Sequence, residues 1–572
     1  MALKALRSAA WFSGPEYYNF ARRAWLRSEG FQHDVFEGKP VIGICNSWSE
    51  LTNCNANLRQ VAEAVKRGVW QAGGFPLEFP TISLGEMFMR PTSMLYRNLM
   101  AMDVEESIRA NPLDGVVLLC GCDKTTPAQL MGAASADIPA IMVTSGPMLS
   151  GQWRDRKLGA GTDGRKLFDL FRTGRLSEEE WSEVEGCLAR STGHCTVMGT
   201  ASTMASLAEA MGMMLPGCAA IPAPDSRRLA IAELSGRRIV DMVHADLKPS
   251  DIMTRESLEN AITVHMALGG STNAVVHLLA IAGRLGIPLT LDDFDRISRR
   301  VPHLVNVKPS GEFLMEDFFE AGGVPAVMAE VLALLHPDCI TVNGQTVAEN
   351  VSKAQCWNTK VIRGVQDPLS AEGGTAILYG NLAPDGAVLK PTAASPGLLQ
   401  HRGRAVVFET HDQMREQIES EDLPVDRDSV LVMKNSGPKG APGFPEWGQI
   451  PLPTKLLRQG IQDVVRVSDA RMSGTSFGTV VLHVAPESAI GGPLAFVQTG
   501  DEIILDTAGR RIDVNLTPEE LERRTRAFVP PQPHYTRGYG SLFLQHIEQA
   551  HLGCDFDFLK KINSSKSTNG VK

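Results

Sequence analysis

The sequence predicts an α/β protein of two domains. These are an N-terminal α/β/α domain with a parallel sheet over residues 1–365 and a smaller, β-rich, barrel-like domain over residues 366–572. The length of 572 residues exceeds that of one ordinary domain. The first two-thirds of the chain repeat a short apolar run, a Gly, Cys or Ser cluster and an amphipathic helix. From about residue 370 the pattern changes to short strands separated by Gly, Pro and Asp turns.

Three apolar runs predict buried strands in the first domain, at residues 39–45, 114–120 and 138–143. After the first run, apolar residues recur every three or four positions, which predicts a helix; they are Leu58, Val61, Val65 and Val69. Further helices are predicted at 202–214, 255–284 and 324–336. The pair Gly269-Gly270 predicts an interruption or close packing in the second of these.

In the second domain, strands are predicted within residues 374–390, 404–410 and 501–516. Asp385-Gly386 and Ala508-Gly509 are the turn signals between them. The polar tail after residue 559 is expected to be disordered because it has too few apolar residues to join a core.

Composition excludes several classes of protein. Hydrophobic residues make up 43% and charged residues 21% of the chain, as in ordinary globular proteins. The net charge of −9 argues against nucleic acid as a partner. No apolar stretch is long enough for a transmembrane helix, and the N-terminus lacks the apolar region of a secretory signal, so a cytoplasmic protein without a membrane partner is expected. Ten cysteines are too dilute for a disulfide framework.

Three of the cysteines, Cys54, Cys122 and Cys195, lie in polar segments just before predicted helices. A helix N-terminus favours an anion, so thiolates are expected to be stabilised at all three positions. Loops after parallel strands meet at one sheet edge, and three thiolates meeting there suit an iron–sulfur cluster or zinc. The spacing alone favours ordinary buried thiols, because it contains no Cys-x-x-Cys signature. The other seven are interpreted as structural: Cys45, Cys120, Cys187, Cys218, Cys339, Cys356 and Cys554.

Two carboxylates are candidate ligands of a hard cation such as Mg²⁺. Glu86 alone is better interpreted as a solvated surface group, which is the usual place of an isolated carboxylate. Asp123 is the stronger candidate because it directly follows Cys122 and precedes Lys124.

Two segments of the second domain are predicted to be shaped loops. Residues 436–446 are too rich in Gly and Pro for a helix or strand, and they do not match a phosphate-binding P-loop. Residues 467–476 place hydroxyls and a glycine where backbone amides could face a ligand. Both readings, a ligand-binding loop and a Gly-rich turn packed on a sheet, stay open at this point.

Seven motifs together resemble the dihydroxy-acid dehydratase and 6-phosphogluconate dehydratase family, which includes the sugar-acid (aldonate) dehydratases. They occur in the order TNCNANL (52–58), CGCDKTTPA (120–128), GHCTVMGTAST (193–203), DIMTRESLENAI (251–262), MALGGSTNAVVHLLAIA (266–282), GPKGAPGF (437–444) and SDARMSGTSFG (468–478). The resemblance covers nearly the whole chain. Residues 7–12 and 90–103 are similar to the sugar-acid branch, of the arabinonate dehydratase type.

The resemblance implies a role for each candidate residue. Three cysteines, Cys54, Cys122 and Cys195, would bind an iron–sulfur cluster, [2Fe–2S] in the sugar-acid branch with [4Fe–4S] as the alternative. Mg²⁺ would be held by Glu86, Asp123, a carbamylated Lys124 and Glu446. Ser473 would be the catalytic base, and Ser473 and Thr475 would contact the substrate. The active site would then lie at the domain interface, since its residues come from both domains.

The implied reaction is a dehydration of a 2,3-dihydroxy acid. Ser473 would remove the C2 proton, the C3 hydroxyl would leave, and the enol would become a 2-keto-3-deoxy acid. The expected partner is a small sugar-acid substrate, and the family implies a homodimer or homotetramer. Two alternatives stay open: a dihydroxy-acid dehydratase of branched-chain amino-acid biosynthesis, and a zinc- or cluster-bearing protein with a structural or regulatory role.

Overall fold

The computed structural model describes residues 5–561 and confirms the predicted fold class. The predicted disordered tail lies outside the described residues, apart from Lys560 and Lys561. In residues 5–561, no helix is both long and apolar enough to cross a membrane.

The first domain is built on a four-stranded, all-parallel sheet with the strand order β2-β1-β3-β4. Its strands are β1 (Val41–Asn46), β2 (Phe75–Pro80), β3 (Gly115–Cys120) and β4 (Ala140–Thr144), and a separate hairpin consists of β5 (Gly151–Trp153) and β6 (Arg156–Leu158). Every residue of β1, β3 and β4 is buried, as expected for a parallel sheet covered by helices on both faces.

Sixteen α-helices surround this sheet within the described part of the first domain. They are α1 (Ala9–Phe12), α2 (Tyr17–Arg27), α3 (Leu58–Gln71), α4 (Arg97–Ala110), α5 (Thr125–Ala136), α6 (Thr162–Arg172), α7 (Glu178–Leu188), α8 (Thr200–Ala210), α9 (Ser226–Ala245), α10 (Pro249–Ile252), α11 (Arg255–Leu268), α12 (Asn273–Leu285), α13 (Leu291–Ser298), α14 (Met315–Glu320), α15 (Gly323–Glu330) and α16 (Val347–Val351). Gly68 and Gly236 let α3 and α9 pack closely, because a Cβ at either glycine would lie 1.9 or 2.2 Å from a backbone oxygen of the other helix.

The predicted helix over 255–284 is two helices, α11 and α12, separated at the Gly269-Gly270 pair. Gly269 ends α11 with a φ of +59°, a left-handed conformation that glycine adopts without strain. The predicted interruption of the helix at Gly269-Gly270 is therefore confirmed.

The second domain is an eight-stranded sheet of order β14-β13-β9-β10-β11-β12-β8-β7. Its strands are β7 (Ala376–Leu378), β8 (Gly386–Leu389), β9 (Gln400–Phe408), β10 (Val430–Met433), β11 (Val465–Ser468), β12 (Val480–Ala485), β13 (Glu502–Asp506) and β14 (Arg511–Val514), and its helices are α17 (His411–Gln417), α18 (Thr454–Arg458), α19 (Pro518–Arg526) and α20 (Gly538–His546). The four central strands, β9 to β12, are parallel, and the flanking pairs are antiparallel.

The two edges of this sheet meet and give it a barrel-like form. Tyr379, directly after β7, forms an isolated bridge with Arg511 at the start of β14. Its N–H donates to the carbonyl oxygen of Arg510, and its carbonyl oxygen accepts from the N–H of Ile512, both at 2.9 Å. The predicted domain boundary near residue 366 falls between α16 and β7, and its exact position stays a prediction.

Candidate active site

Three cysteines lie together at the carboxyl edge of the first domain's sheet. Cys54 follows β1, and Cys122 follows β3. Cys195 is held nearby because the N–H of His194 donates to the carbonyl oxygen of Gly146, just after β4, at 3.0 Å. The Cys54 and Cys122 side chains share a hydrogen bond, and both interact electrostatically with Cys195. We call Cys54, Cys122 and Cys195 the thiol half of the site.

The thiol half is fixed by short local contacts. The Asn55 side chain accepts a hydrogen bond from the backbone N–H of Cys122 at 3.1 Å, which ties the loop after β1 to the loop after β3. Gly121 is required for this close approach, since a Cβ there would lie 2.4 Å from the carbonyl oxygen of Cys54. The positions of the thiols thus follow from backbone packing within one domain.

The expectation that helix N-termini stabilise thiolates at Cys54 and Cys195 is wrong for the protein alone. The hydrogen bond with Cys122 and burial hold the pKa of Cys54 well above its ordinary value. Burial raises the pKa of Cys195 to about 12, and the charge of neighbouring Asp123 adds to this effect. The hydrogen bond with Cys122 at Cys54 and burial at both positions disfavour the anionic form, so a thiolate here needs a bound positive charge.

Four charged groups form what we call the carboxylate half: Glu86, Asp123, Lys124 and Glu446. The Lys124 ammonium group is fully buried and pairs with all three carboxylates, contacting Asp123 closely, Glu446 at 3.3 Å and Glu86 at 3.5 Å. The two halves adjoin, because the Cys122 sulfur lies 3.4 Å from Oδ1 of Asp123.

Burial and charge set the pKa values of the carboxylate half. Burial opposes ionisation of Glu446, but the charges of Lys124 and Arg471 outweigh it and lower its pKa to about 2. Burial prevails at Glu86 and raises its pKa despite Lys124. The pKa of Lys124 is raised although burial acts against it, because Asp123, Glu86 and Glu446 favour the charged form.

Glu446 and Glu86 are linked by a buried arginine, Arg471. Its Nη1 donates to Glu446 at 3.0 Å, and its Nη2 donates at 3.2 Å to the hydroxyl of Thr92. The Thr92 hydroxyl in turn donates to Glu86 at 2.8 Å. Asn273, the first residue of α12, donates to Glu446 at 2.9 Å. Arg471 therefore connects carboxylates of the two domains.

Ser473 lies in the loop after β11, two residues beyond Arg471, and is half-buried. Its hydroxyl is 3.0 Å from that of Thr475, and the Thr475 N–H donates to it at 3.4 Å. Gly474 packs against the start of α8, where a Cβ would lie 2.4 Å from the backbone nitrogen of Thr200. This contact places the Ser473 loop against the segment that carries Cys195.

The carboxyl ends of parallel strands supply residues from both domains. Loops after β1, β2 and β3 carry Cys54, Glu86 and the Cys122–Lys124 segment, and loops after β10 and β11 of the barrel carry Glu446 and Ser473. Open parallel sheets bind ligands at this edge, and here two such edges face each other.

Sequence reasoning missed four residues that hold the site together. Arg471 and Asn273 stand inside the family motifs without an assigned role. Thr92 and Ser93, which hold Glu86, stand inside the segment 90–103 that is similar to the sugar-acid branch, also without an assigned role. The one available signal was Arg471, the only basic residue of the motif SDARMSGTSFG.

Within residues 5–561, no group of three or more His, Cys, Asp or Glu side chains is arranged to hold a metal ion as these side chains stand. In the carboxylate half the reason is visible, because the Lys124 ammonium group occupies the place where the three carboxylates converge.

Two family models match the chain almost end to end. The dihydroxy-acid/6-phosphogluconate dehydratase N-terminal model matches residues 39–350, and the corresponding C-terminal model matches residues 360–554. The chain belongs to the dihydroxy-acid/6-phosphogluconate dehydratase family. It is therefore a dehydratase, a hydro-lyase, and the alternative of a structural or regulatory metal-binding protein is not supported.

Similar curated proteins extend over nearly the full length of the chain. An L-arabinonate dehydratase of Rhizobium leguminosarum bv. trifolii is 54% identical over 97% of this chain and 96% of its own length. An L-arabonate dehydratase of Azospirillum brasilense is 53% identical over 97% of each chain. A 6-deoxy-6-sulfo-D-gluconate dehydratase of Pseudomonas putida is 48% identical over 98% of this chain and 97% of its own length.

Proposed function

We propose that this dehydratase acts on sugar acids and converts aldonates to 2-keto-3-deoxy acids. Cys54, Cys122 and Cys195 would hold an iron–sulfur cluster, while Ser473 acts as the base and Thr475 contacts the substrate. The observation that carries the proposal is the junction of the thiol half, the carboxylate half and the Ser473 loop, where the Cys122 sulfur lies 3.4 Å from Asp123.

The donors present fit the two cofactors. Three thiols in mutual reach are soft ligands of the kind that binds iron–sulfur clusters, with [2Fe–2S] proposed and [4Fe–4S] as the alternative. Three buried carboxylates converge on a cation, Lys124, and carbamylation of that lysine would add anionic oxygens of the kind that Mg²⁺ prefers. When bound, such a cluster and Mg²⁺ supply Lewis acids for a hydroxyl group and a carboxylate.

The protein's own residues account for the proton transfer. Ser473 Oγ, as the alkoxide, takes the proton from C2, and the electrons of that C–H bond form the C2–C3 double bond as the C3 hydroxyl group leaves. The leaving hydroxide takes the proton from Ser473 Oγ and becomes water, which regenerates the base. The enol then gains a proton at C3 and loses the proton of its C2 hydroxyl, which gives the 2-keto group. An ionised Ser473 hydroxyl is stabilised by the hydroxyl of Thr475 at 3.0 Å and by its N–H at 3.4 Å.

The similarity to relatives named for L-arabinonate, L-arabonate and 6-deoxy-6-sulfo-D-gluconate favours a sugar acid over the dihydroxy acid of branched-chain amino-acid biosynthesis. We further propose a cytoplasmic homodimer or homotetramer with no nucleic-acid or membrane partner. These properties remain predictions from composition and family.

The test is turnover by protein purified without oxygen and supplied with Mg²⁺, detecting the 2-keto product. L-Arabinonate, D-xylonate and D-gluconate are expected to react faster than 2,3-dihydroxyisovalerate. Faster turnover of 2,3-dihydroxyisovalerate would indicate instead a dihydroxy-acid dehydratase of branched-chain amino-acid biosynthesis.

The base is tested by Ser473→Ala, which we expect to lower kcat by about 100- to 10,000-fold, the usual contribution of a general base. Ser476→Ala is the matched control, since Ser476 lies in the same loop and its buried hydroxyl has no partner in the described part of the chain. Full turnover by a cluster-containing Ser473→Ala protein would show that Ser473 is not the catalytic base.

A further inference from the structure

The first turns of α6 lie against the loop that carries Ser473. The hydroxyl of Thr162 donates to the carbonyl oxygen of Thr475 at 2.7 Å. Gly161 allows the close approach, since a Cβ there would lie 2.4 Å from the Thr475 hydroxyl oxygen. One turn later, the Lys166 ammonium group lies 5.0 Å from the centre of the Phe477 ring. The start of α6 is thus fixed to the proposed catalytic loop at three points.

Arg165 lies within this anchored stretch. Its N–H donates to the carbonyl oxygen of Gly161 at 3.1 Å, which places Arg165 one helical turn above the glycine that faces Thr475. Its guanidinium group interacts electrostatically with Glu446 and Cys195, one residue from each half of the candidate site. The side chain therefore reaches from α6 toward the place where the two halves meet.

No hydrogen bond or ion pair of the Arg165 side chain is present among residues 5–561. Arg172, on the same helix, pairs with Asp169 and Glu419, and Lys308 pairs with Asp163. Arg172 and Lys308 are thus satisfied by carboxylates, whereas the Arg165 guanidinium group keeps its hydrogen-bond donors free of protein partners in residues 5–561.

Arg165 is exposed to solvent, yet burial lowers its pKa. A side chain that meets solvent while protein surrounds its charged end lies in a cleft rather than on a convex surface. A guanidinium group there presents a planar fork of donors, which matches the paired oxygens of a carboxylate, sulfonate or phosphate.

We propose that Arg165 is a substrate-binding residue that holds an oxyanion of the sugar acid. The inference rests on the proposed function. The oxyanion has two sources with the same chemistry: the C1 carboxylate, which every sugar acid carries, or a second anionic group at the far end of the chain. If it holds the second anionic group, Arg165 would also decide which sugar acids are bound well.

Binding is measured by calorimetry in Mg²⁺- and cluster-containing Ser473→Ala protein, which we expect to bind substrate without converting it. The probes are D-gluconate, with an uncharged far end, and 6-phospho-D-gluconate. Adding Arg165→Gln is expected to weaken binding by about 10- to 100-fold, the value of a charged hydrogen-bonded contact. Loss for both probes identifies the C1 carboxylate, and loss for 6-phospho-D-gluconate alone identifies the far anionic group.

Three controls distinguish a direct contact between Arg165 and the substrate from a general effect of positive charge or of stability. Arg165→Lys is expected to recover part of the affinity, because it keeps the charge and loses the fork. Lys157→Gln removes the same charge from an exposed residue that pairs with Asp317, and it is expected to change affinity less than twofold. Arg165→Gln must also keep the iron content and melting temperature of its parent.

Failure of this inference differs from failure of the proposed function. Unchanged binding of both probes by Arg165→Gln, or no binding by the parent, overturns the role of Arg165. Absence of turnover by the unmodified enzyme, with binding that still depends on Arg165, overturns the dehydration of these sugar acids and leaves the binding role standing.

Discussion

The thiol half and the carboxylate half of the candidate site adjoin, yet they are held by different interactions. The thiol half comes from one domain and is fixed by neutral contacts, such as the hydrogen bond between Asn55 and Cys122 and the close packing at Gly121. The carboxylate half is held by buried charges from both domains, with Arg471 reaching Glu446 directly and Glu86 through Thr92.

This difference predicts which amino-acid substitutions each half tolerates. Neutral local contacts depend on backbone shape, so the thiol half should persist when charges elsewhere are altered. Buried ion pairs depend on every partner, since removing one leaves an uncompensated charge. The two halves should therefore respond separately to substitution, and iron content and Mg²⁺ affinity report on them one at a time.

The largest expected effect is that of Cys54→Ser. A hydroxyl is a harder and weaker ligand than a thiolate for iron, so we expect loss of bound iron, of the visible absorbance of the cluster and of turnover. Mg²⁺ affinity should persist, because Cys54 touches none of the four carboxylate-half residues through a hydrogen bond in residues 5–561. Iron analysis and equilibrium dialysis with Mg²⁺ check both statements.

Cys187→Ser is the control for Cys54→Ser, since Cys187 lies on α7 and packs in a separate small cluster. It should keep its iron and its turnover. Equal iron content in the two variants would show that Cys54 is not a cluster ligand, and loss of Mg²⁺ binding with Cys54→Ser would show that the halves do not act separately.

Arg471→Met should affect the carboxylate half alone. Without the guanidinium group, Glu446 and Thr92 lose a shared hydrogen-bond donor. Replacing a residue that supports a metal ligand commonly lowers metal affinity by about 10- to 100-fold. We expect Mg²⁺ affinity to fall by that factor while iron content stays constant. Titration of activity with Mg²⁺ and iron analysis measure the two effects.

The control for Arg471→Met is Arg466→Met. Arg466 is a buried arginine of the same segment, but its partners are Asp463 at 2.8 Å and the carbonyl oxygen of Ile450 at 2.7 Å. Its replacement removes a buried charge without touching the site. An equal fall of Mg²⁺ affinity in both variants would attribute the effect to general destabilisation.

The same contrast explains what the sequence could predict. Loops after predicted parallel strands meet at one sheet edge, which made a meeting of the three cysteines conceivable. The spacing alone favoured ordinary buried thiols, and only the resemblance to the family assigned Cys54, Cys122 and Cys195 to the thiol half. The partners of Arg471 are hundreds of positions away, at Thr92, or in another loop, at Glu446, and no local pattern encodes such pairing. The raised thiol pKa values were missed because burial depends on the whole fold.

Two elements of the fold show a similar limit. β2 was missed because its segment contains two prolines, which suit the edge position it has in the sheet and mask a strand pattern. α9 was missed although it is 20 residues long. The sequence predicted where the parallel strands of the first domain end and which loops follow them. The side chains that hold the site together were decided by tertiary contacts, which no local pattern shows.

The smallest expected effect concerns Glu487, which supports the loop leading to Glu446. Its carboxyl group accepts hydrogen bonds from the backbone N–H groups of Lys439 at 2.9 Å and Gly440 at 2.8 Å. Burial, with a contribution from Asp469, raises the pKa of Glu487 from 4.5 to about 7. A pKa raised in the folded state contributes stability that is complete below pH 4.5 and is lost as the pH rises through 7.

Glu487→Gln removes this titration. Its melting temperature relative to the unmodified protein should rise between pH 5 and pH 8, by a total on the order of 5 °C. Glu29→Gln, at an exposed glutamate, should track the unmodified protein at every pH. Parallel melting curves for Glu487→Gln and the unmodified protein would mean that Glu487 is ionised throughout. The loop that leads to Glu446 would then be held by one more buried charge. The carboxylate half would depend even more on charges, and the thiol half would still depend on neutral contacts.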